Sequence, residues 1–330
     1  MADSQQKKIV YLFGAGATHA ELTNIQTDIS ETFLERRGLL IDHVSRRVIQ
    51  KARDNKRYMK NIDMVSAATG SLNIELLITL IENSRVRDSE WKTLYLKRLV
   101  KKDITSILTK PKRARFYLHR ALLELHKKPD MVKNEQLLGL VSLNYDNVLD
   151  EAYKTVYGQR PIYCHTLTEV AQHEDIPLLK LHGSFNWVGV TVRGRKRSFD
   201  IIPLGANKNY WHVPYNFIWS RALEILTQCD ILRVIGCSLS PNDTHLIDLL
   251  FKAHLERGAA FEIQIINNDD DADKIKRRYG FLSNIKRLSE VEPASNPKAD
   301  NPFEDWLKTL VTRMSKEGIQ GAKYLRKLVG

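Results

Sequence analysis

Short apolar runs alternate with helical segments along much of the chain, and this alternation constrains the fold more than any other feature. Five runs have the length and the apolar, β-forming composition of buried strands: residues 8–13, 140–144, 178–182, 231–235 and 262–266. Strands that alternate with helices favour a parallel, doubly wound sheet. The sequence therefore predicts an α/β protein with a Rossmann-like parallel sheet.

A helical segment interrupts this alternation after the first strand. Residues 26–60, 73–108 and 113–128 have helical patterns, and Thr27 is a candidate N-cap for the first of them. We expect three parts: a Rossmann-like domain at residues 1–35 and 136–290, a basic α-helical insertion at 36–135, and a C-terminal linker with helices at 291–330.

Composition narrows the class of protein. With 330 residues and a hydrophobic fraction of 43%, the chain can bury a large core and is not disordered as a whole. No run approaches the roughly 18 apolar residues that span a bilayer, and the polar N-terminus lacks a signal-peptide core. We expect a soluble, cytoplasmic protein without a membrane partner.

The three cysteines, Cys164, Cys229 and Cys237, are scattered and form no C-x-x-C pair. A disulfide framework and a cysteine-based zinc site are therefore not expected.

The net charge of +12 is concentrated in one segment. Residues 85–133 hold 15 Lys or Arg and 5 Asp or Glu, a net charge of +10. Such a segment is typical of a solvated helical face, of an interface with an acidic partner, or of a surface that contacts nucleic acid. The segment contains few aromatic residues, which argues against recognition by base stacking.

The first strand runs directly into the glycine-rich sequence Gly14-Ala15-Gly16-Ala-Thr18. Two glycines permit a tight turn and a close approach of the backbone to a phosphate, whose charge the next helix N-terminus would stabilise. The dinucleotide fingerprint has a third glycine where this chain has His19. An ordinary tight turn is the alternative interpretation.

Two further motifs follow predicted strands and carry titratable side chains. In Leu143-Asn144-Tyr-Asp146, the polar residues would face a ligand or cap the next helix. In Leu181-His182-Gly-Ser, the histidine would act as a general base or be a structural residue.

The last two predicted strands also end in polar residues. Gly236 and Ser238 follow the fourth strand, with Asp243 beyond them as a candidate helix cap, and Asn267 follows the fifth. The acidic run at residues 269–271 has the composition of a solvated loop rather than of a metal site. Because the carboxyl ends of parallel strands meet at one edge of a sheet, the five motifs together favour a nucleotide cleft.

The order of these motifs resembles the sirtuin-like superfamily. The sequences Leu143-Asn-Tyr-Asp146, Lys180-Leu-His-Gly-Ser184 and Ile235-Gly-Cys-Ser-Leu239 are most similar to the zinc-free bacterial sirtuin-like NAD hydrolases of antiphage defence. The resemblance covers about residues 8–20 and 140–270, and no part of the helical insertion.

This resemblance implies a role for each motif residue. The turn that contains Ala15 would hold the NAD diphosphate through Gly14, Gly16 and Thr18. Asn144 would contact the nicotinamide ribose and the attacking water, Asp146 would lie near the carboxamide, and His182 would be the general base. The adenosine half would be lined by Gly236, Ser238 and Asn267.

The chain departs from the deacetylating sirtuins in two respects. Three cysteines cannot form their four-cysteine zinc ribbon, and Leu22–Asp28 replaces their Ile-Pro-Asp-Phe-Arg segment. The resemblance therefore implies a hydrolase that converts NAD to nicotinamide and ADP-ribose without a metal, and that depletes NAD on phage infection.

Partners are also implied by the resemblance. About 60 residues follow Asn268, which is shorter than a fused sensor domain. Control by homo-oligomer assembly, or by a partner such as a DNA-translocase-type ATPase or a short Argonaute, is therefore expected. The alternatives are a nucleic-acid-binding or assembly subunit of a defence complex with little catalysis, and a sirtuin-like deacylase or ADP-ribosyltransferase.

Overall fold

The computed structural model describes most of the chain: residues 6–25, 35–55, 73–83, 88–109, 117–128, 131–170, 175–187, 191–192, 195–196, 201–202, 210–282 and 284–329. The described strands are β1 (Lys7–Phe13), β2 (Glu135–Ser142), β3 (Leu178–Lys180), β4 (Thr191–Val192), β5 (Arg195–Lys196), β6 (Ile231–Ile235), β7 (Glu262–Ile266) and β8 (Ile285–Arg287).

The described helices follow in the same chain order: α1 (Ala15–Ile25), α2 (Ile41–Arg53), α3 (Ile74–Asn83), α4 (Ser89–Thr109), α5 (Tyr117–Lys127), α6 (Val148–Tyr157), α7 (Leu167–Val170), α8 (Tyr215–Gln228), α9 (Thr244–Arg257), α10 (Asp269–Arg278), α11 (Leu288–Val291), α12 (Pro302–Lys316) and α13 (Ala322–Val329). A 3₁₀ turn at Gly258–Ala260 joins α9 to β7.

Six strands form one parallel sheet in the order β3-β2-β1-β6-β7-β8. When only these six strands are numbered along the chain, their order in the sheet is 3-2-1-4-5-6, as in a Rossmann-like sheet. The predicted fold class is therefore confirmed, and the sheet reverses its strand order between β1 and β6. The short strands β4 and β5 form a separate antiparallel hairpin.

The sheet is apolar on both faces because helices cover both. On β1, Val10 and Leu12 point into a core formed with α8, α9 and α10, whereas Ile9, Tyr11 and Phe13 point into a second core. Helices α1, α5, α6, α12 and α13 supply the second core. This alternation along a strand buried on both faces explains the continuous apolar run in the sequence.

Helices α2, α3 and α4 form a subdomain with its own apolar core, inserted between α1 and β2. Helix α5, which also precedes β2, packs instead against α6 and α13 on the sheet. The domain bounds given above stay a prediction. Of the helices within the described ranges, none combines the length and the apolar character needed to cross a membrane.

Two sequence predictions are wrong, and one strand was missed. A continuous helix over residues 26–60 is wrong, because residues 38–40 are not helical; Thr27 lies outside the described residues. The acidic run at 269–271 is the first turn of α10, where Asn268 accepts a hydrogen bond from the Asp271 amide and acidic residues stabilise the helix N-terminus. The edge strand β8 was not predicted.

Candidate active site

A cavity of about 470 Å³ lies at the carboxyl ends of the central strands. Its floor is formed by the turns that follow β1, β2, β3, β6 and β7, and helices α2, α3 and α4 contribute to its opposite wall. All ten residues proposed from the sequence line it: Gly14, Ala15, Gly16, Thr18, Asn144, Asp146, His182, Gly236, Ser238 and Asn267. The structure thus brings the five motifs together in one cavity.

Gly14 and Gly16 lie in close contact with a third glycine, Gly236, and this contact explains why none of the three positions has room for a side chain. Gly236 has a φ of +59°, and a Cβ atom there would lie 2.1 Å from the Ala17 backbone nitrogen. A Cβ on Gly16 would lie 2.8 Å from the Gly236 Cα, and one on Gly14 would lie 2.6 Å from the Gly236 carbonyl oxygen. Side chains at these positions would force the turns after β1 and β6 apart.

The same turn presents a backbone donor to the cavity. The Gly16 amide donates to the Gly236 carbonyl at 2.8 Å, and the Ala17 amide donates to the Gly14 carbonyl at 3.0 Å. The Ala15 amide, at the N-terminus of α1, donates to no described residue. A helix N-terminus with a free amide favours an anion such as a phosphate.

Asn144 ties the end of β2 to this turn. Its Nδ2 atom donates to the Gly14 carbonyl at 2.9 Å and to Thr18 Oγ1 at 3.0 Å. Both side-chain hydrogens are therefore used within the protein. Its Oδ1 atom accepts from no residue that the structure describes, so it can accept a hydrogen bond from a ligand hydroxyl or a water molecule.

The carboxylate of Asp146 is engaged on both oxygens. Oδ1 accepts the Val148 amide at 3.0 Å at the start of α6, and Oδ2 accepts the Thr18 hydroxyl at 3.0 Å. Asp146 thus has the capping contact of the alternative interpretation, and it also fixes Thr18. Its backbone carbonyl accepts the buried ammonium of Lys180, which pairs with Asp150 at 2.9 Å.

His182 is buried and paired with a carboxylate. Its Nε2 lies 2.9 Å from Oδ2 of Asp243, and both side chains are almost fully buried. Nδ1 is the ring nitrogen that does not face Asp243. A buried carboxylate at this distance stabilises the imidazolium that forms when the ring takes up a proton. The sequence singled out Asp243 only as a helix cap.

The turns after β6 and β7 form another part of the floor. Asn267 donates from Nδ2 to the Cys237 carbonyl at 3.2 Å, which holds the two turns together. Ser238 and Asn268 also line the cavity there. Burial raises the pKa of the Cys237 thiol to about 12, so this side chain is not a thiolate nucleophile at neutral pH.

The helical subdomain supplies lining residues that carried no sequence motif. Leu39, Ile78 and Val100 add apolar surface, and Glu75 adds a buried carboxylate. His19 stands where the fingerprint has a glycine; burial, with a smaller contribution from His43, lowers its pKa to about 4. A neutral His19 is therefore expected at physiological pH.

The charge of the cavity is opposite to that of the chain. Among the described lining residues there is no Lys or Arg, whereas six are acidic: Asp42, Glu75, Asp146, Asp243, Asp271 and Asp300. Several cations of the basic region have internal contacts instead: Lys97 pairs with Glu82 at 3.2 Å, and Lys101 donates to the Phe185 carbonyl at 2.8 Å. The net charge of +12 therefore does not describe this site.

No metal site accompanies the cavity within the part of the chain that the structure describes, where no three His, Cys, Asp or Glu side chains are grouped to hold an ion. The three cysteines are buried and free. The expectation of a reaction without a metal stays a prediction.

No protein-family model matches the chain, and no curated protein matches its sequence. Among solved structures, it is similar to a Sir2 homolog in complex with NAD, at 14% identity and a TM-score of 0.37, with 99% of this chain and 92% of that chain covered. It is also similar to Sir2 in complex with an inhibitor, 2′-O-acetyl-ADP-ribose and a deacetylated peptide, at 14% identity and a TM-score of 0.41, with 94% of each chain covered. At such low identity and TM-scores, the functional assignment depends on the site itself.

Proposed function

We propose that the chain hydrolyses NAD to nicotinamide and ADP-ribose in this cavity. One observation carries the proposal: the N-terminus of α1, the Asn144 Oδ1 atom, which accepts from no described residue, and the buried pair His182–Asp243 line the same cavity. A dinucleotide needs the first of these for its diphosphate, and hydrolysis needs the other two to handle water. The motif order supports NAD in particular through its resemblance to sirtuin-like NAD hydrolases.

The diphosphate would bind at the start of α1, with the Ala15 amide as a donor. The nicotinamide ribose would then lie beside Asn144, whose Oδ1 atom accepts from a ribose hydroxyl or from the attacking water. Gly236, Ser238 and Asn267 would surround the adenosine half. Asp146 would act mainly by fixing Thr18 and the start of α6, since both of its oxygens are already engaged.

In the chemical step, the bond between ribose C1′ and the pyridinium nitrogen breaks, and its electron pair neutralises the departing nicotinamide. Water adds to C1′, and Nδ1 of His182 takes the proton released from that water. Asp243 stabilises the resulting imidazolium across the 2.9 Å contact. The proton then passes to solvent, and ADP-ribose leaves with a hydroxyl at C1′.

The acidic lining suits this reaction. Positive charge develops on the ribose as the glycosidic bond lengthens, and fixed negative groups that line the cavity stabilise it. No described lining residue is a Lys or Arg that would oppose this charge.

The biological role we propose is NAD depletion as the effector of an antiphage defence system. It rests on the resemblance of the motifs, as does control by homo-oligomer assembly or by a partner protein. The basic segment 85–133 is the proposed contact region for such a partner or for nucleic acid.

Product analysis tests the proposed reaction. The purified chain is incubated with NAD, alone and with an acyl-lysine peptide, and the products are separated by chromatography and weighed by mass spectrometry. We expect nicotinamide and ADP-ribose in equal amounts whether or not the peptide is present. Transfer of ADP-ribose to the peptide, or formation of an O-acyl-ADP-ribose, would instead assign a transferase or a deacylase.

A further inference from the structure

Tyr145, the residue between Asn144 and Asp146, connects three parts of the chain. Its hydroxyl donates to the Ile202 carbonyl at 2.9 Å, with Oε1 of Glu75 as a second acceptor at 3.3 Å. Its own carbonyl accepts the Phe185 amide at 2.9 Å. Tyr145 itself lies in the turn after β2, and it thus links this turn to the turn after β3 and to helix α3 of the helical subdomain.

These contacts lie next to His182. The aromatic ring of Tyr145 is 6.4 Å from the imidazole, centroid to centroid, and the Ile202 amide donates to the His182 carbonyl at 2.9 Å. The Tyr145 hydroxyl therefore holds the same residue, Ile202, that holds the His182 backbone. Burial raises the pKa of Tyr145 well above its usual range, and the nearby Glu75 adds to this, so the hydroxyl keeps its proton at neutral pH.

The helical subdomain holds the histidine turn by a second route. Lys101 of α4 donates to the Phe185 carbonyl at 2.8 Å, and its ammonium lies 5.9 Å from the centre of the Phe185 ring. Phe185 and Ile201 are buried in the core that α2, α3 and α4 form. The turn that carries His182 is therefore packed against the subdomain and not only against the sheet.

We propose that Tyr145 is a positioning residue that sets the spacing between Asn144 and His182, and that its bond to Glu75 makes this spacing depend on the helical subdomain. The proposal rests on the proposed NAD hydrolysis, because Asn144 and His182 must act on one water molecule. Small displacements of such groups lower the rate much more than they lower substrate binding.

The variant Tyr145→Phe keeps the ring and removes the hydroxyl. A matched control is Tyr153→Phe, since the Tyr153 hydroxyl also donates to a backbone carbonyl, that of Ile176 at 3.0 Å, and Tyr153 does not line the cavity. We expect kcat for nicotinamide release to fall by roughly 10- to 100-fold in Tyr145→Phe with little change in KM. The control should keep the kcat of the unmodified chain. An unchanged kcat in Tyr145→Phe, or an equal loss in both variants, would overturn the proposal.

A second pair of variants separates the hydrogen bond from the charge of Glu75. Glu75→Gln keeps an oxygen that can accept from Tyr145, whereas Glu75→Ala removes it. We expect the smaller loss of kcat in Glu75→Gln. An equal loss in both variants would show that the carboxylate charge matters and would overturn the account of a positioning contact.

Amide hydrogen exchange on the full chain gives a readout that does not need activity. We expect Tyr145→Phe to increase exchange at residues 181–187 and in α3, and Tyr153→Phe to leave these segments unchanged. If the unmodified chain releases no nicotinamide, the proposed function fails while this measurement still decides the structural link. Unchanged exchange in Tyr145→Phe would overturn that link.

Discussion

Gly236→Ala tests whether the candidate site depends on close contact between two backbone turns. The φ of +59° at this position costs an alanine about 1–2 kcal/mol. The added Cβ would also lie 2.1 Å from the Ala17 nitrogen, well inside van der Waals contact, so the turns after β1 and β6 must separate. Overpacking of this kind costs a further 1–3 kcal/mol, roughly.

Gly158→Ala is the matched control for backbone strain. Gly158 has a φ of +75° at the end of α6, and a Cβ there would have no atom within 4 Å. This variant should therefore lose only the conformational term, about 1–2 kcal/mol. The difference between the two variants isolates the cost of forcing the turns apart, about 1–3 kcal/mol.

The assay is urea unfolding followed by tryptophan fluorescence, with the free energy of unfolding compared at equal m-values. Binding of NAD is titrated on the same samples, and we expect it to weaken in Gly236→Ala but not in Gly158→Ala. Equal losses of stability in the two variants would show that the close contact between the two turns contributes nothing to stability.

Two further predictions concern titratable groups. Asp243→Asn should lower kcat by roughly 10²- to 10⁴-fold with the fold intact, because the neutral amide does not stabilise the imidazolium of His182. The rate of nicotinamide release measures this effect. An unchanged kcat would show that Asp243 does not act on His182. Burial lowers the pKa of His126 to about 4 in the folded chain. Its neutral form is therefore favoured by folding, so the free energy of unfolding should be unaffected by this group above pH 6.5 and should fall as the pH drops from 6.5 towards 4. Unfolding curves across this range should show a shallower fall in His126→Gln, and an identical slope would contradict the assignment.

The strands were predictable because their environment is uniform. A strand buried on both faces is apolar along most of its length. Strand β1 has an unbroken apolar run at residues 9–13, and β6 and β7 are each interrupted by one buried polar side chain, Arg233 and Gln264. The edge strand β8 could not be recognised in this way, since it has three residues and two of them are charged. The acidic start of α10 was not recognised as helical. The start of this helix is marked by its N-cap residue, Asn268, and asparagine side chains make similar local hydrogen bonds in loops.

The members of the site were predictable, but several of their contacts were not. Polar residues that follow parallel strands meet at one edge, which is why ten residues could be chosen from the sequence. The pair His182–Asp243 is different, because the sheet order places β3 and β6 three strands apart, about 14 Å at the usual spacing. Only the path of the turn after β6 brings Asp243 back to His182, and no local pattern encodes that path.

The sequence also did not indicate that residues of the helical subdomain line the cavity. Glu75 and Val100 lie on amphipathic helices whose apolar residues look the same whether they pack on each other or face a ligand. The positive charge of segment 85–133 suggested contacts with partners, whereas the residues of the helical insertion that line the cavity are apolar or acidic. Tertiary packing decided which face of each helix meets the site.

The proposed function requires that this cavity cleave NAD with Asn144 and His182. The most direct measurement is nicotinamide release by the purified chain, alone and with candidate partners, compared with the variants His182→Ala and Asn144→Ala after circular dichroism has established that they fold. We predict release by the unmodified chain and a loss of at least about 100-fold in each variant. Release at the unmodified rate from folded His182→Ala would contradict the account.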